Sequence, residues 1–548
     1  MRREKRRSGW IALAALVAAA AVQAQPLFRD VAAEAGIDLV NVSGSPVRDY
    51  IIDSTGNGGG LVDYDGDGDL DVFLTQGATA ESLALGGEPV LHLYRNDGDG
   101  FVARSAAAGL TARGWANGMC AADYDNDGDQ DVYVTAHGPN HLFRNDGRGG
   151  FEEIDAGDDA RYWSSSCAFA DYDRDGWADL YVANYVVYEP DRIPARGCNY
   201  LGNPTFCGPL GLTAEPDQLL RNLGDGRFAD VTAASGLAAA PRYGLAVLFA
   251  DLDGDEWPDV FVANDSQANL FFRNRGDGTF EELGLLSGLA ISGLAEPQAA
   301  MGVDIGDVDG DGDFDLFITN FSQDHNTLYR AGGPGLYSDV SFASGLGGPS
   351  MPYLAWGTGL RDFDRDGDLD LFVANGHIYE DVETFGIGST FLEPNLLFAN
   401  RGDGGFDDVT AGAGSGLAVR ESSRGAAFGD LEGDGDVDVL VVNMAAPPTL
   451  LRNDGPARGG FLTVRTIGAR GTRDALGAVL LLAAGGRTQV AQVRSGESYQ
   501  SAHDLRQHFG LGPAAKVDAL TVRWPGGGRQ RLADLPAGRV VVVAERAP

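Results

Sequence analysis

One pattern of acidic residues recurs seven times along the chain and restricts what it can fold into. Aspartates stand at alternate positions, a glycine follows, and a last aspartate leads into an apolar run. The first copy reads Asp63-Tyr-Asp65-Gly-Asp67-Gly-Asp69-Leu-Asp71, followed by Val72-Phe73-Leu74. Position 1 is Asp63, Asp123, Asp171, Asp251, Asp307, Asp362 and Asp430; position 3 is Asp65, Asp125, Asp173, Asp253, Asp309, Asp364 and Glu432. Position 5 is Asp67, Asp127, Asp175, Asp255, Asp311, Asp366 and Asp434; position 7 is Asp69, Asp129, Trp177, Trp257, Asp313, Asp368 and Asp436. Position 9 is Asp71, Asp131, Asp179, Asp259, Asp315, Asp370 and Asp438.

The apolar run after each loop reads as a short strand. A Gly-rich or apolar segment before it, such as Gly302-Val303-Asp304-Ile305-Gly306, reads as another, so loop and strands form a hairpin. An aromatic-led strand also recurs, starting at Phe28, Phe101, Phe151, Phe228, Phe280, Leu336 and Phe406, usually after a turn such as Arg95-Asn96-Asp97-Gly98. Units of roughly 50 to 80 residues built of short strands and turns predict an all-β fold, a seven-bladed β-propeller, over a sandwich or a helical solenoid. The seventh loop is followed by Leu450-Leu451-Arg452-Asn453 but by no aromatic strand of its own, whereas the strand at Phe28 precedes every loop. The N-terminal strand is therefore expected to complete the last blade and remove the exposed edges of an open ring.

Hard divalent cations take six to eight oxygens, and carboxylates at positions 1, 3, 5 and 9 with a backbone carbonyl at 7 supply such a set for Ca²⁺. The glycine at position 6 permits the sharp turn. Position 12 is Leu74, Val134, Val182, Val262, Ile318, Val373 and Val441, all apolar, which excludes EF-hands. Asp and Gly also make good turns without metal, but seven copies in register favour calcium. The fourth loop departs with Glu256 in place of glycine and the seventh with Glu432 at position 3, leaving calcium there open. The loops hold 34 of the 79 acidic residues, so mutual repulsion is expected to loosen the metal-free chain.

The 548 residues carry a formal charge of −38, which makes nucleic acid and anionic membrane poor partners. A basic stretch (Arg2, Arg3, Lys5, Arg6, Arg7), an apolar run from Ile11 to Val22 and Val22-Gln23-Ala24 read as a secretory signal over residues 1–24, cleaved after Ala24. That run falls short of the roughly 20 residues that span a bilayer. The mature chain is expected to be secreted or periplasmic, with a propeller over residues 25–455 and a smaller unit over 456–548.

The loops and the strands before them resemble the FG-GAP (VCBS) repeats of integrin-like propellers over roughly residues 28 to 455. The C-terminal segment resembles the ASPIC/UnbV domain in Arg473-Asp474-Ala475-Leu476-Gly477-Ala478, Ser501, His508-Phe509-Gly510-Leu511-Gly512 and Trp524-Pro525-Gly526-Gly527. Together they are similar to the cartilage acidic protein family and its bacterial relatives. That resemblance implies extracellular calcium binding and interaction, with no settled catalytic role. Independently, Leu462-Thr463-Val464-Arg465, Val479-Leu480-Leu481-Leu482 and Arg539-Val540-Val541-Val542-Val543 alternate as strands, predicting a small all-β domain on or beside the propeller. Arg473 with Asp474, and His503 with His508, are read as a turn ion pair and as surface or core histidines rather than a catalytic group.

Cys198 and Cys207 flank a segment inside the longest interval between loops, where the resembling family carries a similar Cys-containing insertion; they are expected to pair. Cys120 and Cys167 lie three and four residues before their loops, which leaves a disulfide and two buried thiols both open. His137, His141, His325 and His377 each follow the strand leaving a loop, and propeller symmetry could gather them at one face as a transition-metal or ligand site. The function read from these residues is a calcium-dependent binding or scaffold protein with a protein or glycan partner. A propeller enzyme or accessory protein in polysaccharide or natural-product metabolism would need His, Asp or Glu converging in a central pocket. A purely structural cell-envelope protein is the third reading.

Overall fold

The computed structural model describes residues 26–546 except 99, 159–160, 190–192, 194, 239 and 457–458. The secretory signal read over residues 1–24 lies outside them. Among the described residues, no helix is long and apolar enough to cross a membrane.

Seven four-stranded antiparallel sheets are arranged as a β-propeller. Their innermost strands are Gly59–Val62, Ala116–Ala122, Ser164–Ala170, Gly244–Ala250, Val303–Gly306, Ala355–Arg361 and Ser423–Gly429. Each blade's second strand is buried on both faces, as Asp131–Ala136 and Asp259–Asn264 are, which is why these stretches are nearly continuous Val, Leu, Phe and Ala. Apolar layers fill the spaces between neighbouring blades. One joins Phe261 and Phe271 to Ile305 and Tyr329; another joins Leu61 and Val72 to Leu440 and Leu450 across the closing seam.

The N-terminal strand Phe28–Asp30 pairs antiparallel with Thr449–Asn453, Phe28 opposite Asn453, so the last blade combines both ends of the repeat region. In the fifth blade the aromatic strand begins at Tyr337 rather than Leu336. The turn after Ala331 has the usual length, Ala331 pairing with Tyr337 as Asn274 pairs with Phe280, so Tyr337 takes the aromatic position and Leu336 is the exposed last residue of the turn.

Disulfides join Cys198 to Cys207 and Cys120 to Cys167, with Cα separations of 5.0 and 5.8 Å. The first closes the hairpin of Cys198–Tyr200 and Asn203–Thr205. The second joins the innermost strands of adjacent blades, which run side by side and absorb the one-residue offset between the two cysteines.

Residues from Phe461 to Ala544 form a sandwich of two sheets. One orders Gln507–Gly510, Phe461–Ile467 and Arg539–Ala544; the other orders Arg487–Gln492, Val479–Ala484, Lys516–Trp524 and Gly528–Pro536. Its apolar face, with Leu480, Leu482 and Trp524, is continuous with Tyr124, Phe169 and the Cys120–Cys167 pair of the propeller.

Between Gln492 and Gln507 the sandwich sends a plug into the propeller's central channel. Ala502 N–H donates to Gly59 O at 2.9 Å, Met119 N–H to Gln500 O at 3.2 Å, and Ser498 N–H to Val303 O at 2.6 Å. Gln500 N–H donates to Ser166 Oγ, Thr358 N–H to Ser498 Oγ, and Phe428 N–H to His503 Nδ1. The plug thus contacts the inner strands of blades 1, 2, 3, 5, 6 and 7. A buried charge cluster fastens it: Asp304 binds Arg361 at 2.8 Å and Arg494 at 3.0 Å, and Arg361 binds Glu497 at 2.8 Å.

The close approach explains a glycine just before the first inner strand. A Cβ at Gly58 would stand 1.7 Å from Gln500 O, so Gly58→Ala is expected to displace the plug. Overpacking of this kind costs about 1–3 kcal/mol. An unchanged urea midpoint for this variant would mean that the plug is not seated in solution.

Candidate metal centres on the loop face

Each acidic loop joins the innermost strand of a blade to the second, and all seven emerge on one face. The position 9 aspartate is the first residue of the second strand, from Asp71 to Asp438. In the second blade, Asp131 Oδ2 accepts from Tyr124 N–H at 3.1 Å and Oδ1 from Asn145 N–H at 2.8 Å. The other blades repeat this, with Asp71, Asp179, Asp259, Asp315, Asp370 and Asp438 each accepting from position 2 and from the third strand. Position 1 closes the turn: Asp362 accepts from Asp366 N–H at 3.1 Å and Gly367 N–H at 2.8 Å, and Asp123, Asp307 and Asp430 do the same for their own loops. Position 5 orients position 7, as where Asp127 Oδ1 accepts from Asp129 N–H at 3.2 Å.

These bonds turn the carboxylates of positions 1, 3, 5 and 9 towards the loop interior. Asp63, Asp65 and Asp71 bring ligand oxygens within 4.8 Å of one another, as do Asp123, Asp125 and Asp127; Asp171, Asp173 and Asp179; Asp251, Asp253 and Asp255; and Asp307, Asp309 and Asp311. At position 7 the side chains of Trp177 and Trp257 turn away from the loop interior. Trp177 and Trp257 lie over Gly224 and Gly276, where a Cβ would come within 2.7 and 2.9 Å of the indole. That arrangement suits a backbone carbonyl as the donor at this position.

The donor set fits a hard dication. Asp63, Asp65, Asp125, Asp171 and Asp309 each hold a buried oxygen without a hydrogen-bond partner, and a buried carboxylate of this kind is costly unless a cation meets it. Burial first, and then neighbouring carboxylates, push Asp123 up to about 8 and Asp171 up to about 7. Burial also pushes Asp131 up to about 9.

The two departures keep the loop shape. Glu256 adopts φ +73°, the left-handed conformation that glycine takes at position 6 elsewhere, as Gly128 does at +109° and Gly367 at +96°. Glu256→Gly is expected to raise stability by roughly 1 kcal/mol, the cost of holding a side chain there. The Glu256–Arg529 contact of 3.3 Å lies on the exposed rim and offsets little of this. A lower denaturation midpoint for this variant would contradict the reading. Glu432, one methylene longer than aspartate, lies 3.7 Å from Arg452.

Two sets of residues link the loops, and sequence reasoning assigned them no such role. The third-strand asparagine staples neighbouring blades: Asn145 Nδ2 donates to Tyr64 O of the preceding loop at 2.7 Å, and Asn222, Asn274, Asn400 and Asn453 do the same. The recurrent Arg-Asn pair was the visible signal, but it read as a turn. The fifth blade has Ala331 instead, and there Tyr337 Oη donates to Leu252 O at 2.9 Å in the asparagine's place. Position 4 side chains reach the next loop: Asn126 Nδ2 donates to Gly176 O at 2.9 Å, Arg174 to Glu256 O, and Arg365 Nε to Gly435 O at 3.0 Å.

The histidines are not gathered into one group. His141 bonds Glu153 at 2.7 Å, His325 lies 3.4 Å from Asp339, and His377 bonds Ser322 Oγ at 3.0 Å. His137 is packed among Trp115, Trp163 and Tyr188. Arg473 and Asp474 do not form a turn ion pair but meet the second loop, where Asp474 accepts from Asp123 N–H at 2.7 Å.

The loop-bearing hairpins carry the family signature: residues 63–134, 123–182, 210–262, 251–318, 307–373 and 362–441 match the FG-GAP-like repeat. The chain belongs to the FG-GAP-like repeat family. Residues 468–548 of this FG-GAP protein match ASPIC and UnbV. It is 26% identical to cartilage acidic protein 1 of Homo sapiens over 342 residues, 60% of this chain and 48% of that protein. It is also 26% identical to cartilage acidic protein 1 of Xenopus tropicalis over 280 residues, 49% of this chain and 40% of that protein. The chain spans about half the length of the curated relatives it matches. Among solved structures, an Agrocybe aegerita lectin that recognises non-reducing terminal N-acetylglucosamine aligns at 17% identity and a TM-score of 0.39, covering 67% of this chain and 89% of its own. YCF48 bound to D1 peptide aligns at 8% identity and a TM-score of 0.41, covering 78% and 97%.

Proposed function

We propose that this FG-GAP propeller is an exported calcium-binding scaffold that recognises a protein or glycan partner. The observation that carries the reading is the set of buried, unpartnered carboxylate oxygens turned into the acidic loops. Such oxygens suit a permanently bound hard cation that stiffens a surface rather than a metal exchanging substrate. The central channel points the same way. A propeller enzyme would place acids and bases around an open pocket there, whereas this channel holds the plug, with Tyr499 against Trp356 and its hydroxyl donating to Thr55 O at 3.0 Å.

The face opposite the loops offers a surface for a partner. Tyr200, Phe321, Tyr379 and Phe385 cluster around the Cys198–Cys207 hairpin, with Leu201 exposed at its tip. Tyr200 and Tyr379 each join an apolar ring to a polar end, which suits protein or sugar contact. The relationship to cartilage acidic protein 1 supports export and interaction.

The test is a count of bound ions by equilibrium dialysis of the purified chain against Ca²⁺, Mg²⁺ and Zn²⁺, followed by partner capture with the calcium-loaded form. The expected result is calcium selectivity with about one ion per loop. Saturation by one or two transition-metal ions, together with turnover of a polysaccharide or natural product, would replace the scaffold by the enzyme reading.

A further inference from the structure

The C-terminal sandwich stands on the loop face and grips several loops by their backbone. Arg506 Nη1 donates to Gly68 O of the first loop at 3.0 Å. Arg487 Nη1 donates to Asp366 O of the sixth at 3.1 Å, and Gly512 N–H to Arg365 O at 2.9 Å. At the second loop the contact has the opposite charge. Asp474 accepts from Asp123 N–H and from Gln130 Nε2, each at 2.7 Å, and Arg473 N–H donates to Asn126 Oδ1 at 2.7 Å.

A distant part of the chain thus delivers a carboxylate to a loop whose own Asp123, Asp125 and Asp127 already crowd within 4.8 Å. Arg465 and Arg473 offset part of its charge but stand outside the loop's ligand positions. Next to a metal-free loop, this approach is a like-charge contact in a buried setting. Next to a loop holding a dication, it is an attraction.

We propose that Asp474 couples the second loop to the seating of the sandwich, so that calcium in that loop holds the plug in the channel and the seated plug tightens calcium there. The proposal rests on the calcium reading of the loops. Reciprocity is a thermodynamic requirement: whatever factor the metal contributes to docking, docking returns to metal affinity. Arg487 also pairs with the Asp368 carboxylate of the sixth loop, an attraction that a bound dication would weaken, whereas Asp474 brings a negative charge that a bound dication would attract, so the two can be separated.

The test uses the full chain with Ca²⁺ alone as the probe. Hydrogen exchange at the amides of Ser498 and Ala502, which bond to Val303 O and Gly59 O, reports the plug. Calorimetric titration reports the ions. Exchange at these two amides is expected to speed up at least about fivefold when calcium is chelated. Asp474→Asn keeps an oxygen for Asp123 N–H but removes the charge. It is expected to weaken one ion of the set by about fivefold or more and to make plug exchange less sensitive to chelation.

A second variant acts from the other side. Gly496 has φ +84°, and a Cβ there would stand 2.5 Å from Ala168 Cβ, so Gly496→Val unseats the plug without touching a loop. It is expected to weaken calcium at the second loop while leaving the fifth unchanged. Calcium binding with plug exchange indifferent to it, or unchanged affinities in both variants, overturns the coupling alone. No calcium binding at all overturns the coupling and the scaffold reading together.

Discussion

Chelation of the calcium-loaded chain is expected to lower its melting temperature by roughly 20 °C. A ligand held at a hundredfold over its Kd contributes about 2.7 kcal/mol, so seven loops together contribute about 19 kcal/mol. An unfolding entropy of about 2.1 cal/mol/K per residue over a ring of roughly 430 residues converts that into the stated shift. A change of only a few degrees would mean that the loops hold their shape without metal. The metal-free chain should also respond to pH in a defined direction. Burial raises Asp131 to about 9, Asp71 to about 8 and Asp315 to about 7, against about 3.9 in an unfolded chain. A carboxyl raised on folding contributes stability that is fully present below its unfolded value and is lost as pH rises through its folded value. The metal-free form should therefore melt highest near pH 4 and progressively lower towards pH 9. The calcium-loaded form should lose its ions, and their stabilisation, as acid protonates the ligands. A metal-free chain that gained stability between pH 5 and 9 would contradict this account of the loops.

The second large effect is expected at Arg424, which is fully buried on the inner strand of the seventh blade. Its guanidinium donates to Ser54 O at 2.7 and 3.0 Å, to Ser423 O at 2.7 Å and to Gly376 O at 3.1 Å, and lies 4.2 Å over the Trp356 ring. Burial pushes it down to about 9. The acceptors come from blade 6, from blade 7 and from the segment entering blade 1, the seam where the ring closes. Arg424→Ala leaves those carbonyls unpaired around a cavity and is expected to cost about 3–5 kcal/mol. Arg424→Lys keeps the charge but not the fork, and should recover only part of the loss in a urea titration. A cost below about 1 kcal/mol, the scale of an ordinary surface change, would remove Arg424 from the account of ring closure.

The loops were legible because seven copies keep one spacing of acidic residues in register, and that spacing survives in sequence whatever surrounds it. Strand order followed from the same repeat, and the placement of Phe28 predicted the closing pair with Asn453. What escaped has no period. The plug from Arg494 to Asp504 is irregular, and its partners are spread through blades far apart in sequence, so nothing local marks it. Asp474 reads as half of an ion pair with its neighbour until the fold brings Asp123 to it. Nothing local shows that the Tyr337 hydroxyl takes over the bond of the asparagine missing at Ala331, because only the fold brings Leu252 O to that ring. The pairing of Cys120 with Cys167 stayed open for a related reason: position relative to the loops does not report how adjacent inner strands are staggered.

The pairing of Phe28 with Asn453 also sets a clock. The first strand to leave the ribosome has no partner until 425 further residues have been made, which at usual elongation rates of about 5–20 residues per second is roughly 20 to 85 s. Six blades can each pair their strands as they emerge, but the seventh cannot, and the plug is synthesised later still. For that interval the growing chain carries an unpaired edge at each end, the stage at which a chaperone or a second nascent copy has the most to bind.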